Sequence, residues 1–399
     1  MELKKMTENI FKLTDTIIKK TGPRLTGSQP CLESGVMLKN EINKYSDHVE
    51  LEEFIVHTGA FLGWIQVLVI GYFLSCIFLW FQLPFVSLIL SLISVLVLVL
   101  QFFLYKHFID NLWPKKKGTN VVGYVEPLEE VKNTVIISGH HDSANIFNFF
   151  IHQPNLYGLR TTGSIGFVFL MMVVSIVLIF LPIPLLTTIL STIMSLGFLL
   201  IGQMWFFKNK KATPGAGDNL ISSSLAIEIG KYYSQNKLKN TRLIVASFDA
   251  EEEGLRGAYA FANKHEQEFK DTPTYLLNID CPYYLKDLFF LTSDINGSVK
   301  MDMDLAEQLV SIAQEKGYPA KHQPIAFLTG GTDAGELAKK GVKATTLMAM
   351  PWTNNVRSHV YHTPKDTIDA IEPESISAIV DIYTEFINRL DKLKNHDFS

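Results

Sequence analysis

Cysteine is scarce: Cys31, Cys76 and Cys281 are the only three in 399 residues, they lie far apart, and Cys76 sits in an apolar run. That excludes a disulfide framework and a Cys-based zinc finger, so any metal is expected to use histidine and carboxylate. Positive charge in excess is also missing. Thirty-six Lys and Arg against forty Asp and Glu leave a net charge of -4, which offers no bulk basic field to a nucleic-acid backbone. Charge of either sign is thin, at 19% of residues, and mean hydropathy is +0.16. The chain is too apolar to be disordered or an ordinary soluble enzyme.

Two stretches lack Asp, Glu, Lys and Arg altogether, 59–105 and 161–207, each 47 residues long. A helix needs about 20 apolar residues to cross a hydrocarbon core, so each run has room for two spans and a tight turn. Turn signals fall midway, at Gln82-Leu83-Pro84 and Pro182-Ile183-Pro184,. The expected organisation is the start of a polar domain in 1–58, a transmembrane hairpin in 59–105, polar domain in 106–160, a second hairpin in 161–207, and polar domain in 208–399. Each hairpin crosses twice, so all polar segments share one side and can build one domain. Lys44, Lys106, Lys115, Lys116, Lys117, Arg160, Lys208, Lys210 and Lys211 flank the open ends while the turns carry no basic residue, and this bias predicts a cytoplasmic domain and termini. The segment from Met1 to Lys20 is amphipathic and interrupted by lysines, unlike a cleavable signal. The triplet Asn296-Gly297-Ser298 argues weakly for the opposite side. No span carries a charge, so an ion pathway has no candidate residue. The small-residue pairs Gly59/Gly63 and Ser87/Ser91 have the spacing of close helix packing.

Within the polar part, short apolar runs end in polar clusters: 134–138 before Gly139-His140-His141-Asp142, 243–248 before Asp249-Ala250-Glu251-Glu252, and 275–279 before Asp280. These read as buried strands alternating with helices near 219–237 and 255–264, which predicts a three-layer α/β fold with a mixed β-sheet between helices. In such folds the site gathers beyond the carboxyl ends of the strands. His140, Asp142, Asp218, Glu251, Glu252, Asp280 and His362 are the ligand types that suit zinc. Each has a plain reading as well: a surface turn for His-x-Asp, a solvated helix start for the glutamates, an N-cap for an Asp opening a helix.

Their order along the chain resembles the co-catalytic dizinc aminopeptidases, whose relatives include glutamate carboxypeptidase, glutaminyl cyclase and the transferrin receptor ectodomain. The lead-in Gly22-Pro23-Arg24-Leu25-Thr26-Gly27-Ser28, the strand end Gly139-His140-His141-Asp142-Ser143 and the turn Pro214-Gly215-Ala216-Gly217-Asp218-Asn219 are similar to that family's motifs. So are Glu251-Glu252-Glu253-Gly254-Leu255-Arg256-Gly257, Asn278-Ile279-Asp280 and Tyr361-His362-Thr363-Pro364-Lys365-Asp366-Thr367. The resemblance implies two Zn²⁺ ions, one on His140 and Asp280, the other on Glu252 and His362, with Asp218 bridging. It makes Glu251 the general base beside a metal-activated water, and places Asp142 behind His140, holding its free N–H. It also implies a cis peptide bond at Asp218-Asn219.

Three departures stand out. Gly217 takes the place of an acid or small polar residue, with a modest effect expected. Thr332-Asp333-Ala334 stands where a Ser-Asp-His-like triplet is common, and Asp333 reads as a substrate contact or, at least as well, as a helix N-cap. A membrane hairpin lies between Asp142 and Asp218, where soluble relatives have a short loop; it is expected to anchor the protein or to restrict access to short peptides. The activity implied is a membrane-anchored aminopeptidase acting on peptides, with peptide substrates and the lipid bilayer as partners, no nucleic acid, and homo-oligomerisation open. Rival readings are a glutamate-type carboxypeptidase, for which Arg357 and Arg256 lie near site motifs, a single-zinc glutaminyl cyclase-like enzyme, and a receptor or chaperone-like pseudo-peptidase without metal.

Overall fold

The computed structural model describes residues 2–353 and 359–392. The chain divides into two units, one of Met1–Val56, Lys116–Asn145 and Lys211–Ser399, the other of His57–Lys115 and Ile146–Lys210. The strands are β1 (His48–His57), β2 (Lys115–Val125), β3 (Asn133–His140), β4 (Asn145–Phe147), β5 (Lys208–Ala212) and β6 (Thr241–Phe248). They continue with β7 (Thr274–Asp280), β8 (Leu288–Asp294), β9 (Val299–Lys300), β10 (Lys321–Pro324) and β11 (Lys343–Ala349). The helices begin with α1 (Glu2–Thr21), α2 (Gln29–Ile42), α3 (Gly63–Trp80), α4 (Pro84–Val97), α5 (Asn148–Ile151), α6 (Tyr157–Phe180) and α7 (Pro184–Ile201). Then come α8 (Ile221–Gln235), α9 (Arg256–Lys264), α10 (Glu266–Asp271), α11 (Met303–Glu315), α12 (Ala334–Ala338) and α13 (Pro373–Lys392).

The first unit is built on a nine-stranded mixed sheet in the order β1-β2-β6-β3-β7-β11-β8-β10, with β9 paired to β8; β4 and β5 pair separately. Its centre is parallel: β3 runs with β6 and β7, and β7 with β11, while β2 and β8 join antiparallel. Central strands buried on both faces need apolar residues at consecutive positions, and β3 is buried from Thr134 to His140. Their alternation sorts two cores. Val135, Ile137, Val245, Leu277 and Ile279 pack with α1, α8, α11 and α13. Ile136, Ile244, Phe248 and Leu276 pack on the other face against Phe261 of α9 and Leu337 of α12. A sheet with a helical layer on each face follows, the mixed α/β architecture the sequence predicts. Register sets the working edge: His140 pairs with Phe248, and Asp280 with Met348, so β3, β6 and β7 end together.

The second unit holds four helices long and apolar enough to cross a membrane: Gly63–Trp80, Pro84–Phe103, Pro154–Phe180 and Pro184–Phe206. The turns fall at the expected places, since α3 stops at Trp80 before Pro84 opens α4, and α6 stops at Phe180 before Pro184 opens α7. The unit is wider than the charge-free runs 59–105 and 161–207, because polar residues beside them find partners inside it. Gln101 donates to Asp110 Oδ1 at 2.6 Å, and Arg160 donates to the His152 carbonyl at 2.8 Å with its guanidinium over the Phe149 ring. Small residues hold α3 and α4 close: Ser87 Oγ donates to the Ser75 carbonyl at 2.8 Å, and a Cβ on Gly71 would overlap Ser94 Oγ.

Candidate metal centre

Three strand ends and two turns supply the site. His140 closes β3, Asp280 closes β7, and Glu251 and Glu252 stand in the turn just past β6, where Ala250 has φ 61° and Leu255 φ 64°. Asp218 follows the left-handed Gly215, and His362 lies in the turn before Asp366. The Asp218-Asn219 peptide bond is cis. Residues up to 222 positions apart in sequence meet here, all buried or nearly so.

Asp218 stands between two imidazoles. Its Oδ1 lies 3.3 Å from His140 Nε2 and its Oδ2 3.1 Å from His362 Nε2. Glu252 Oε1 is 3.3 Å from His362 Nε2, and Glu251 Oε2 is 3.8 Å from His140 Nε2. One donor atom each from His140, Glu251 and Asp280 falls within 4.8 Å of the others, as do those of His140, Asp218 and Glu252.

Asp142 sits behind this layer. His140 Nδ1 lies 3.2 Å from both its Oδ1 and its backbone carbonyl, so Nδ1 carries the proton and Nε2 faces the cluster. The same carboxylate accepts the backbone N–H groups of Glu251 and Glu252, both at 3.2 Å, and the Thr26 hydroxyl at 3.0 Å. One side chain therefore aims an imidazole and fixes the turn that carries both glutamates.

Four further side chains complete the support, three of which motif reading gave no role. Arg24, fully buried, donates to the carbonyls of His141, Gly22, Pro214 and Gly215 and so ties the lead-in to both metal-site turns. Asp366 accepts from Gly217 N–H at 2.8 Å, from Asp218 N–H at 3.4 Å and from the Tyr283 hydroxyl at 2.9 Å. The Tyr361 ring stacks on His362 with centroids 4.0 Å apart. Asp333 is the fourth. It is 1% exposed, makes no side-chain capping bond to α12, and neither carboxylate oxygen has a hydrogen-bond partner. The N-cap reading of Asp333 is thus overturned, because the carboxylate turns inward to the charges of His140, Asp142 and Asp280.

Packing explains Gly217: a Cβ there would run into the Tyr283 ring. An acid at 217 has no room while Tyr283 serves Asp366. Of the two arginines considered for a carboxylate clamp, Arg256 is buried and donates to the Gly254 carbonyl at 2.8 Å, and Arg357 lies outside the described residues.

Electrostatics favour a cation. Burial, then the Asp218 charge, pushes Asp280 up to about 7. Burial likewise holds Glu251 well above the usual carboxylate range, with Glu252, Asp280 and Asp333 adding to it. Burial alone would lower His362, but Glu252 and Asp218 outweigh it and lift the imidazole to about 10. Acids that repel one another in a dry pocket call for a multivalent counter-ion. The buried atoms His140 Nε2, Asp218 Oδ2, Glu252 Oε1 and Asp280 Oδ1 lack a well-aligned hydrogen bond, and this mixed imidazole and carboxylate set suits zinc.

Comparison with known proteins agrees with that chemistry. The sequence profile of peptidase family M28 matches residues 201–387, which include Asp218, Glu251, Glu252, Asp280 and His362. None of the curated proteins matches the sequence. Among solved structures, a Zn-dependent exopeptidase from Parabacteroides distasonis superposes with TM-score 0.58 at 14% identity, covering 96% of this chain and 97% of that one. A glutaminyl cyclase from Bacteroides thetaiotaomicron gives 0.60 at 10% identity, with 97% and 98% covered. A leucine aminopeptidase precursor from the same organism gives 0.59 at 12% identity, with 97% of each chain covered. The fold is that of the zinc exopeptidases, and the profile match supports a zinc-dependent peptidase.

Proposed function

We propose that the chain is a membrane-anchored zinc aminopeptidase of the M28 type, holding two ions. The observation that carries this reading is Asp218, whose two oxygens face different imidazoles at 3.3 and 3.1 Å. A carboxylate so placed suits a bridge, with His140 and Asp280 on one side and Glu252 and His362 on the other.

Zinc, when bound, polarises the scissile carbonyl and lowers the pKa of a water from about 16 toward 7. The chain does the rest. Asp142 keeps the His140 Nδ1 proton in place, so the ring presents Nε2. Glu251, turned toward His140 rather than His362, accepts the proton of the attacking water at its carboxylate and passes it to the leaving amine. Asp333 brings a buried carboxyl group without a hydrogen bond to the same site, able to accept from a substrate amine. Arg256, spent on Gly254, weakens the carboxypeptidase reading.

The four apolar helices support a multi-pass membrane protein, and the basic flanks support a peptidase unit facing the cytoplasm. The glycosylation-type triplet no longer weighs against that side. Asn296 is 5% exposed and its Oδ1 accepts the Gly330 N–H at 3.1 Å, so it belongs to a folded turn.

A glutaminyl cyclase-like activity is the second reading, favoured by the superposition on the cyclase at TM-score 0.60. Purified protein, zinc-loaded and chelated, should be offered an aminoacyl-arylamide panel and a peptide with amino-terminal glutamine, with metal counted by mass spectrometry. Chelator-sensitive arylamide hydrolysis with about two zinc ions per chain is expected. Cyclisation of the glutamine peptide with about one zinc would replace the proposal by the cyclase, and no metal with no turnover by a receptor-like protein.

A further inference from the structure

A second cluster of donors lies away from the Asp218 bridge, in the same unit. Cys31 Sγ, a ring nitrogen of His141 and a carboxylate oxygen of Asp249 fall within 4.8 Å of one another, and all three residues are fully buried. We propose that Cys31, His141 and Asp249 form a separate, closed zinc site that pins α2 to the ends of β3 and β6. The proposal does not rest on the peptidase reading.

His141 supplies the independent observation. Its Nδ1 lies 2.9 Å from Ser247 Oγ, which is itself 2.7 Å from Ser223 Oγ. With Nδ1 donating to that hydroxyl pair, Nε2 presents its lone pair to the cluster, the orientation of a metal-bound imidazole. That Nε2 is buried and has no hydrogen-bond partner. Adjacent positions at a strand end send side chains to opposite faces, so His141 faces away from the site that His140 serves.

Spacing fits the metal. Cys31 Sγ stands 3.3 Å from Asp249 Oδ1; a sulfur at about 2.3 Å and an oxygen at about 2.0 Å on a tetrahedral zinc lie ~3.5 Å apart. The other oxygen, Asp249 Oδ2, is held by the Thr119 N–H at 3.0 Å. Gly35 on α2 lies against the same donors. A Cβ there would stand 3.3 Å from Thr119 Oγ1 and 3.5 Å from His141 Nε2, and Thr119 Oγ1 is a second buried atom with no partner. Two unmet polar atoms thus face the bare Cα of Gly35, and the Thr119 hydroxyl is the proposed fourth ligand. A thiolate, a carboxylate and Zn²⁺ sum to zero charge, which lowers the cost of a fully buried site. Binding releases the thiol proton. The expectation from composition that any metal uses only histidine and carboxylate therefore does not extend to this site.

Zinc-edge X-ray absorption of the full-length, zinc-loaded protein in detergent tests the site. A sulfur shell at about 2.3 Å is expected, amounting to about one sulfur for every three zinc ions when the Asp218 centre is also filled. Cys281 must be controlled, because its Sγ is within 4.8 Å of donor atoms on Asp218 and Asp280. Cys281→Ser should keep the sulfur shell, whereas Cys31→Ser should lose it together with one zinc per chain by mass spectrometry. His362→Ala should lose zinc yet raise the sulfur fraction of the zinc that stays, a result independent of peptidase activity. If Cys31→Ser does not fold, the wild-type and Cys281→Ser spectra decide alone. A wild-type shell of nitrogen and oxygen only, or a sulfur shell lost with Cys281→Ser, would overturn the proposal and leave a thiol–carboxylate hydrogen bond beside a buried water.

Discussion

Glu251 and Glu252 are neighbours in sequence but address different imidazoles, His140 at 3.8 Å and His362 at 3.3 Å. The positive φ of Ala250 starts the turn that makes this possible, and Asp142 holds it through both glutamate N–H groups. The proposed division of labour rests on this: Glu252 as a ligand, Glu251 as a proton carrier. Glu251→Gln keeps shape and polarity but removes proton capacity, so kcat should fall by about 10²–10⁴ with zinc content unchanged. Full turnover in that variant, measured by steady-state hydrolysis, would move the base elsewhere. The same residues set a pH dependence for the metal-free protein. Asp280 is raised to about 7 and His362 to about 10, against unfolded values near 4 and 6.5. Folded protein therefore binds more protons than unfolded protein between those limits, and metal-free stability falls as pH rises. Zinc displaces these protons, so its stabilising effect should grow with pH. The gap in Tm between zinc-loaded and chelated protein should widen from about pH 5 to about pH 8; a constant gap would mean that zinc does not bind these groups.

At the scale of elements, strands were legible because burial on both faces leaves a continuous apolar run, and the polar residue ending each run marked the edge of the sheet. Thus 134–138, 243–248 and 275–279 lie inside β3, β6 and β7. Hairpin turns were legible from Gln82 and paired prolines at the centre of charge-free runs. Arg24, Asp366 and the inward turn of Asp333 were not. Their roles depend on partners far away in the chain, such as Arg24 with Gly215 and Asp366 with Gly217, and no local pattern encodes these. Arg24 carries the sharpest consequence. It bonds four carbonyls from three separate segments, so Arg24→Met, which keeps much of the apolar stem, strands them in a dry interior. A loss of roughly 3–5 kcal/mol is expected in denaturant unfolding of the polar unit, with weaker zinc retention because the Asp218 turn loosens. Unchanged stability would mean that those carbonyls find water instead.

For the molecule as a whole, the question is which side of a membrane the site serves. If the four apolar helices cross a membrane as proposed, each hairpin returns the chain to the side it left, so the segments that build the Asp218 centre share one compartment. The basic residues Lys106, Lys115, Lys116, Lys117, Arg160, Lys208, Lys210 and Lys211 cluster at the open ends, while neither 82–84 nor 182–184 carries a charge. The cost of moving Lys or Arg across a bilayer during insertion makes that asymmetry a statement about orientation. A reporter phosphatase that is active only after export, inserted at 82–84 or at 182–184, should be active, and the same reporter fused ahead of α1 should be silent. Activity at 82–84 alone would mean that the second pair of helices does not cross the bilayer, and would overturn the four-span reading. Activity only in the amino-terminal fusion would keep the zinc site intact but turn it to face outward, where it would meet exported peptides instead of cytoplasmic ones.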